Sequence, residues 1–415
     1  MYKVLFLTIL TSLFTVINSN AQNYFTQIPF LDSAFIYTMD INESGHLFVS
    51  AGFQNKQRNG IYRSTDNGQS WDFVLSYAPY QNAGIDINNE GVIYAIADWG
   101  PEGTLYKSID NGQTWNVKAV PLDINWTNDE IFCRGDNTLF ISQSGGSPFR
   151  LIRSFDDGLN WDTVFFSNQS AAETIMDIVF GSDGEMFMAI SGFFEGEGGL
   201  YKSTDYGTTW SLFGLEGLMV QDLSYNSTGD LFISTMHYEF GGLYVVFANE
   251  QTTNHFYSLT DFTSIVINSS DDIFAGQFYY PGVYHSADNG LTYNWITSGL
   301  GAPPENMFID SEEYIYATNA SRIWRSNQST ITLTKLISTD DFTIYPNPCK
   351  SVLLGDFKIG TFKAKYEIID LSGRIIISGF ITHDKFRYDV SNLKPGIYFL
   401  KLISKKSYSK IFIKE

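Results

Sequence analysis

Ser64-Thr65-Asp66-Asn67-Gly68-Gln69-Ser70-Trp71 is written again, with small changes, further down the chain. The later copies are Ser108-Ile109-Asp110-Asn111-Gly112-Gln113-Thr114-Trp115, Ser154-Phe155-Asp156-Asp157-Gly158-Leu159-Asn160-Trp161 and Ser203-Thr204-Asp205-Tyr206-Gly207-Thr208-Thr209-Trp210. A fifth, Ser286-Ala287-Asp288-Asn289-Gly290-Leu291-Thr292-Tyr293, ends in Tyr instead of Trp. The aromatic ends lie 44, 46, 49 and 83 residues apart. The last interval is about twice the others, so one copy has decayed near 243–257, and a worn final copy begins at Ile323-Trp324-Arg325-Ser326. Seven units of roughly 40–49 residues result, a period typical of repeated four-stranded sheets.

Within the first unit, residues 35–41, 47–51, 60–64 and 71–75 read as four short strands. Each is rich in aromatic and β-branched residues, with turn residues between them. No part of the repeat region has a convincing helical period. One such unit cannot cover both of its own faces, so the units must stack and close into a ring. The expectation is an all-β chain: a seven-bladed β-propeller followed by a smaller β domain. Residues 24–30 and 330–337 compete for the place of the strand that closes the ring. In each repeat the Asp and Ser side chains are suited to local bonds that hold a turn. The Gly permits a positive φ, and the Trp is expected to wedge against the following blade. Arg63, Lys107, Arg153, Lys202 and Arg325 precede the Ser of a copy and read as structural strand positions.

These motifs resemble the Asp-box (BNR) repeat of sialidases, xyloglucan-cleaving hydrolases, sortilin-type receptors and a photosystem assembly factor. The resemblance covers about residues 30–337. It implies that the boxes lie on the rim opposite the active face, making Asp66, Asp110, Asp156, Asp205 and Asp288 structural. Sialidases in that family need three substrate-binding arginines and an Arg-Ile-Pro segment. This chain has Gln27-Ile28-Pro29, and only Arg58, Arg150 and Arg322 fall in the relevant loops, so the sialidase pattern is not met. The xyloglucan hydrolases pair two propellers around a cleft, whereas this chain encodes one.

The two ends read as addresses. Lys3, the apolar run 4–17 and Ser19-Asn20-Ala21 form a secretory signal peptide over 1–21. No cysteine follows the cleavage site to carry a lipid, and no later stretch is long enough for a membrane helix. From 341 onward the composition changes: residues 341–415 hold 13 Lys and Arg against 7 Asp and Glu, while residues 1–340 carry a net charge of −25. Tyr345-Pro346-Asn347-Pro348, Asp370-Leu371-Ser372-Gly373-Arg374, Leu393-Lys394-Pro395-Gly396-Ile397-Tyr398 and the terminal Lys410-Ile411-Phe412-Ile413-Lys414 mark about seven short strands, which suit a small Ig-like sandwich. The same residues resemble the type A C-terminal sorting domain of the type IX secretion system. That implies the type IX machinery as a partner and export to the outer-membrane surface or the medium of a Bacteroidetes-type bacterium. An accessory sandwich that binds carbohydrate is the rival reading.

The formal charge of −19 lacks the basic footprint of a nucleic-acid binder, and two cysteines cannot build a disulfide framework or a cysteine-rich metal site. Nucleophile elbows, phosphate loops and zinc signatures are missing. What remains is aromatic and acidic. Loops between the second and third strands carry Phe53, Phe149 and Phe240, together with Trp99, Phe193, Phe194, Tyr238, Tyr279 and Tyr280, the last six being the candidates for ligand binding. Aromatic faces stack on the apolar C–H faces of sugar rings. Aligning the first strands of the units places Thr38, Gly84, Glu130, Asp177, Asp222, Ser264 and Asn306 at one level around a central channel, with Asp40 and Asp86 two residues further in. Glu130, Asp177 and Asp222 are therefore the candidate catalytic carboxylates, since close carboxylates raise one another's pKa. Solvated channel lining is the bland alternative. Such oxygens could also hold Ca²⁺; no other metal or cofactor is assigned. Three functions fit: binding of glycan or another extracellular polymer, glycoside hydrolysis, and a protein-binding scaffold or adhesin.

Overall fold

A computed structural model describes residues 23–330 and 342–415, except 54–57, 78–82, 98–102, 122–127, 136, 145–148, 168–172, 193–196, 238–239, 249–252, 258–259, 291–292, 297–298, 358–363, 371–373, 382–384 and 404–406. The signal peptide therefore lies outside the described residues, as do four of the aromatic candidates, Trp99, Phe193, Phe194 and Tyr238.

Up to residue 326 the described strands form seven four-stranded antiparallel sheets. Sheets 1 to 6 are meanders spanning 34–76, 83–120, 128–166, 174–214, 219–257 and 262–296. Sheet 7 takes three strands from 306–326 and its outermost strand, Phe25–Ile28, from the other end of the chain. Phe25 pairs with Ser326 and Ile28 with Ile323, so of the two competing segments it is the N-terminal one that completes this sheet. The first strand of each sheet touches the first strand of the next, and that of sheet 7 touches that of sheet 1. The sheets thus stand in a closed ring, fastened where the two ends of the repeat region pair.

The core lies between sheets. Seven apolar clusters fill the seven gaps; one joins Tyr94, Ile96 and Leu105 of sheet 2 to Ile131, Leu139 and Ile141 of sheet 3. Because a sheet in the ring has neighbours on both faces, its second strand is buried along nearly its whole length, as in Leu47–Phe53 and Ile93–Ala97. Such strands read as continuous apolar runs instead of alternating ones.

The repeated motifs form the turns between third and fourth strands. In the first, Ser64 Oγ donates to Asp66 Oδ1 at 2.8 Å and accepts from Gly68 N at 2.8 Å. The other Asp66 oxygen accepts from Ser70 Oγ at 2.6 Å. Copies centred on Asp110, Asp156 and Asp205 repeat this pattern, and the Asp288 copy repeats its Ser286 half. These donors hold the Asp66, Asp110 and Asp156 carboxyls at about 2, the side-chain bond from residue 70, 114 or 160 being the largest cause. The turn glycines, Gly112 with φ +76° among them, press against the sheet before: a Cβ on Gly158 would lie 2.6 Å from Leu105, and one on Gly207 2.7 Å from Phe140. The tryptophans follow suit. Trp115, Trp161 and Trp210 pack into the gap with the preceding sheet, not the following one as their position at the start of a strand suggested. The left-handed turn swings each ring back towards the previous sheet, a direction set by tertiary packing.

The basic residue before each motif reaches forward instead. Arg63 Nη1 donates to the Asn111 carbonyl at 2.8 Å, Lys107 Nζ to Asp157 Oδ1 at 2.8 Å and Arg153 Nη1 to the Tyr206 carbonyl at 2.8 Å. Each stitches its sheet to the next turn. Lys202 instead pairs with Glu185 of its own sheet at 2.6 Å.

The described residues of the tail form seven strands in two sheets. Phe342–Tyr345, Val352–Phe357 and Lys385–Asp389 make one; Ile375–Ile381, Ala364–Asp370, Gly396–Ile403 and Ser407–Lys414, in that order, make the other. Cys349, Leu353, Ile368, Val390, Leu400 and Phe412 are buried between them. Among the described residues no helix is long and apolar enough to cross a membrane.

Candidate functional site

Strand register decides what faces the channel. Thr38, Gly84, Glu130, Asp177, Asp222, Ser264 and Asn306 each pair with the fourth residue of the neighbouring second strand: Ser50, Ile96, Ser142, Ala189, Ser234, Gly276 and Thr318. They therefore share one level. A bulge immediately precedes Thr38, Asp177, Asp222 and Ser264 and re-aims the side chain that follows.

Most of the acids at this level and the next are occupied in holding sheets together. Asp222 Oδ2 accepts from Ser264 Oγ at 2.6 Å and from Ile265 N at 2.8 Å, both in sheet 6. Ser264 Oγ in turn accepts from Met307 N of sheet 7 at 2.9 Å. Asp177 Oδ2 reaches Leu223 N of sheet 5 at 3.1 Å, a donor that also lies 2.9 Å from Asp222 Oδ1. The same device joins sheets 1 to 3 one step further in. Ile87 N lies 2.7 Å from Asp40 Oδ2 and 2.9 Å from Asp86 Oδ1, and Asp86 Oδ2 accepts from Cys133 N at 2.5 Å.

Two carboxylates converging on one N–H cannot both be ionised cheaply. Burial first, and then the partner's charge, push Asp40 and Asp177 well above the usual carboxylate range. Asp86 and Asp222 are raised by burial and held down by their donors. Within each pair the two carboxyls titrate as one coupled unit, and both members are pushed upward.

Glu130 differs. Burial, with Asp86 second, raises it to about 7. Among the described residues no hydrogen-bond donor faces its carboxylate. Of the three predicted catalytic carboxylates, Asp177 and Asp222 accept bonds from the neighbouring sheets. Among the described residues no group of three or more His, Cys, Asp or Glu is arranged to hold a metal ion. Arg150, one of the loop arginines, is spent on Gln143 and the Pro121 carbonyl.

The described aromatic candidates divide. Phe149 is in the core between sheets 3 and 4 and cannot meet a ligand. Tyr279 and Tyr280 are 59% and 64% exposed on the 278–282 loop of sheet 6, joined by Phe278 at 41% and by Phe240 at 55% on the 237–241 loop of sheet 5. Phe278 and Tyr279 meet edge to face, with centroids 5.0 Å apart, and Phe240 stacks on His237 at 5.4 Å.

One residue that the sequence did not single out organises both loops. Asp261 is 7% exposed, on the connection between sheets 5 and 6. Its Oδ1 accepts from His237 N at 3.0 Å and its carbonyl from Phe278 N at 3.1 Å. Its carboxylate also accepts the Tyr279 hydroxyl, the main reason that phenol is raised. Gly241 makes room for it, since a Cβ there would lie 1.8 Å from Asp261 Oδ1. No spacing rule points to Asp261, because its partners come from two different hairpins.

Residues 343–415 match the family described as Secretion system C-terminal sorting domain (Por_Secre_tail). No curated protein matches the sequence. Solved structures similar to the repeat region are β-propellers. YCF48 from Cyanidioschyzon merolae is 12% identical at a TM-score of 0.54, covering 73% of this chain and 98% of that one. Virginiamycin B lyase from Staphylococcus aureus, in a catalytically inactive form with quinupristin, is 12% identical at 0.55, covering 72% and 98%. The extracellular domain of the putative hybrid two-component system BT4673 from B. thetaiotaomicron is 15% identical at 0.55, covering 81% of this chain and 46% of that one. At these identities the likeness concerns the fold. The sorting tail places the chain among proteins exported to the surface or medium by the type IX system.

Proposed function

We propose that residues 22–340 are a seven-bladed propeller of the Asp-box kind that holds an extracellular glycan, or a related polymer, on the aromatic platform of sheets 5 and 6. Residues 1–21 direct it into the periplasm, and residues 341–415 take it outward. The observation that carries this reading is the platform itself: Phe240, Phe278, Tyr279 and Tyr280 exposed on two loops that a single buried carboxylate holds together. Apolar rings in water, carried on two loops tied to one scaffold residue, offer stacking surface at little ordering cost.

The test is retention of the mature chain, residues 22–415, on a panel of plant, microbial and host polysaccharides. At least one polymer should retain it, and Tyr279→Ala with Tyr280→Ala should weaken that retention by about tenfold or more, the loss of an anchoring aromatic pair. Retention that ignores both substitutions sinks the platform reading. Retention by no polymer at all favours a protein partner.

A second reading, glycoside hydrolysis, is supported by Glu130 alone: a carboxyl raised to about 7 with no described donor upon it suits a general acid. Oligosaccharide products in the same panel, lost in Glu130→Gln, would establish it.

A further inference from the structure

The larger sheet of the tail carries apolar residues on both faces, and among the described residues only the inner face packs into a core cluster. Ile368, Tyr398, Leu400 and Phe412 point inward, against Leu353, Val390 and Leu393 of the other layer. Alternation along the strands sends their neighbours outward. Ile369 stands opposite Ile375 on one side and Phe399 on the other, and Ile397 stands opposite Ile413. These five cross-strand neighbours make one patch, in which Ile375, Ile397 and Ile413 are 51%, 41% and 42% exposed. Further along the same face lies a charged end, where Lys365 bonds Glu367 at 2.5 Å and Lys401 pairs with Glu367 across the strands.

An antiparallel sheet whose outer face meets only water normally carries polar residues there. A row of isoleucines bordered by Arg374, which pairs with Asp370 at 3.1 Å, and by Lys365 and Lys401 further along the face is instead the composition of a surface with an apolar centre and a charged rim. The match to a sorting domain says what reads it. An address shared among cargoes has to be read from the tail itself, on a surface that the cargo leaves free. The excess of 13 basic over 7 acidic residues in 341–415 sets the sign of the partner.

We propose that this outer face, centred on Ile375, Ile397 and Ile413, is the surface by which the export machinery recognises the tail, and that the partner patch is apolar with an acidic border. The proposal rests on the sorting-domain match and is independent of the glycan reading.

The test uses the full-length chain in a bacterium with a type IX system, following how much reaches the surface or medium and how much stays in the periplasm. Ile375→Thr, Ile397→Thr and Ile413→Thr together keep β-branched residues in the strands. Export should fall about tenfold or more, as when the centre of an interface loses its anchors, and protein with an unchanged melting temperature should accumulate in the periplasm. The same three positions changed to Val should export normally. Ile397→Lys with Ile413→Lys should block export, while Ser351→Lys with Ser391→Lys, the same charge placed off this face, should not. Normal export of the Thr variant overturns the proposal, and so does an equal loss in the serine variant.

Discussion

Replacing Asp222 by Ala asks whether the channel acids hold the ring. In the native protein its Oδ2 is the acceptor for Ser264 Oγ and Ile265 N, and its Oδ1 shares Leu223 N with Asp177. Without it Leu223 N keeps Asp177, but two buried donors of sheet 6, Ser264 and Ile265, lose their acceptor. A buried donor left unpaired costs about 1–3 kcal/mol. Relief of the crowded Asp177 offsets part of that, leaving a net loss of about 2–4 kcal/mol. With about 2.1 cal/mol/K of unfolding entropy per residue, a body of about 300 residues loses one degree for about 0.6 kcal/mol, so the melting temperature should fall by about 3–7 °C. Asp177→Asn is the companion. Asp177 is raised in the folded state, so its contribution is complete below the unfolded carboxyl pKa of about 4 and is lost as pH rises through the folded value. An amide mimics the protonated form at every pH. The variant should therefore match the native protein in acid, melt higher than it in mild alkali, and show a shallower decline between. Scanning calorimetry from pH 4 to 9 reads both. A shift below about one degree in Asp222→Ala, well under the few degrees expected of a lost buried bond, or an unchanged pH slope in Asp177→Asn, would refute the idea that these acids are inter-sheet latches.

The turn aspartates should behave oppositely. Asp110 is lowered to about 2 by Thr114 and Ser108, so it stabilises above the unfolded carboxyl range and stops doing so as pH falls towards 2; Asp110→Asn should lower the melting temperature at pH 7 and converge with the native protein near pH 2. Asp261→Asn should loosen the platform without touching the rings: polymer retention should weaken severalfold while Phe240, Tyr279 and Tyr280 remain, and limited proteolysis should show faster cleavage at 237–241 and 278–282. If retention and cleavage are both unchanged, Asp261 does not position the loops.

Much of this was legible from Ser64–Trp71 and its copies. A turn motif is local: Ser64, Asp66, Gly68 and Ser70 satisfy one another through bonds spanning two to four positions, so their spacing alone predicts the bonds that form. The common level of Glu130, Asp177 and Asp222 was legible for the same reason, since each is counted from its own hairpin. Their employment was not. Whether a carboxylate meets substrate or a neighbouring N–H depends on the next sheet, whose residues lie some 45 positions away, as Asp177 and Leu223 do at 46. The same dependence hid Asp261, moved Phe149 from loop to core, and turned the tryptophans towards the sheet before.

Sequence by itself determined the repeat, the number of units and the sorting tail, because periodicity, turn chemistry and charge are properties of neighbours along the chain. Tertiary structure alone decided which end of the repeat region closes the last sheet, which acids meet across sheets, which aromatics stay in water, and which face of the tail lacks a described core cluster. Those outcomes depend on pairs brought together only when the ring shuts, from Phe25 against Ser326 at its seam to Asp177 against Asp222 beside its channel.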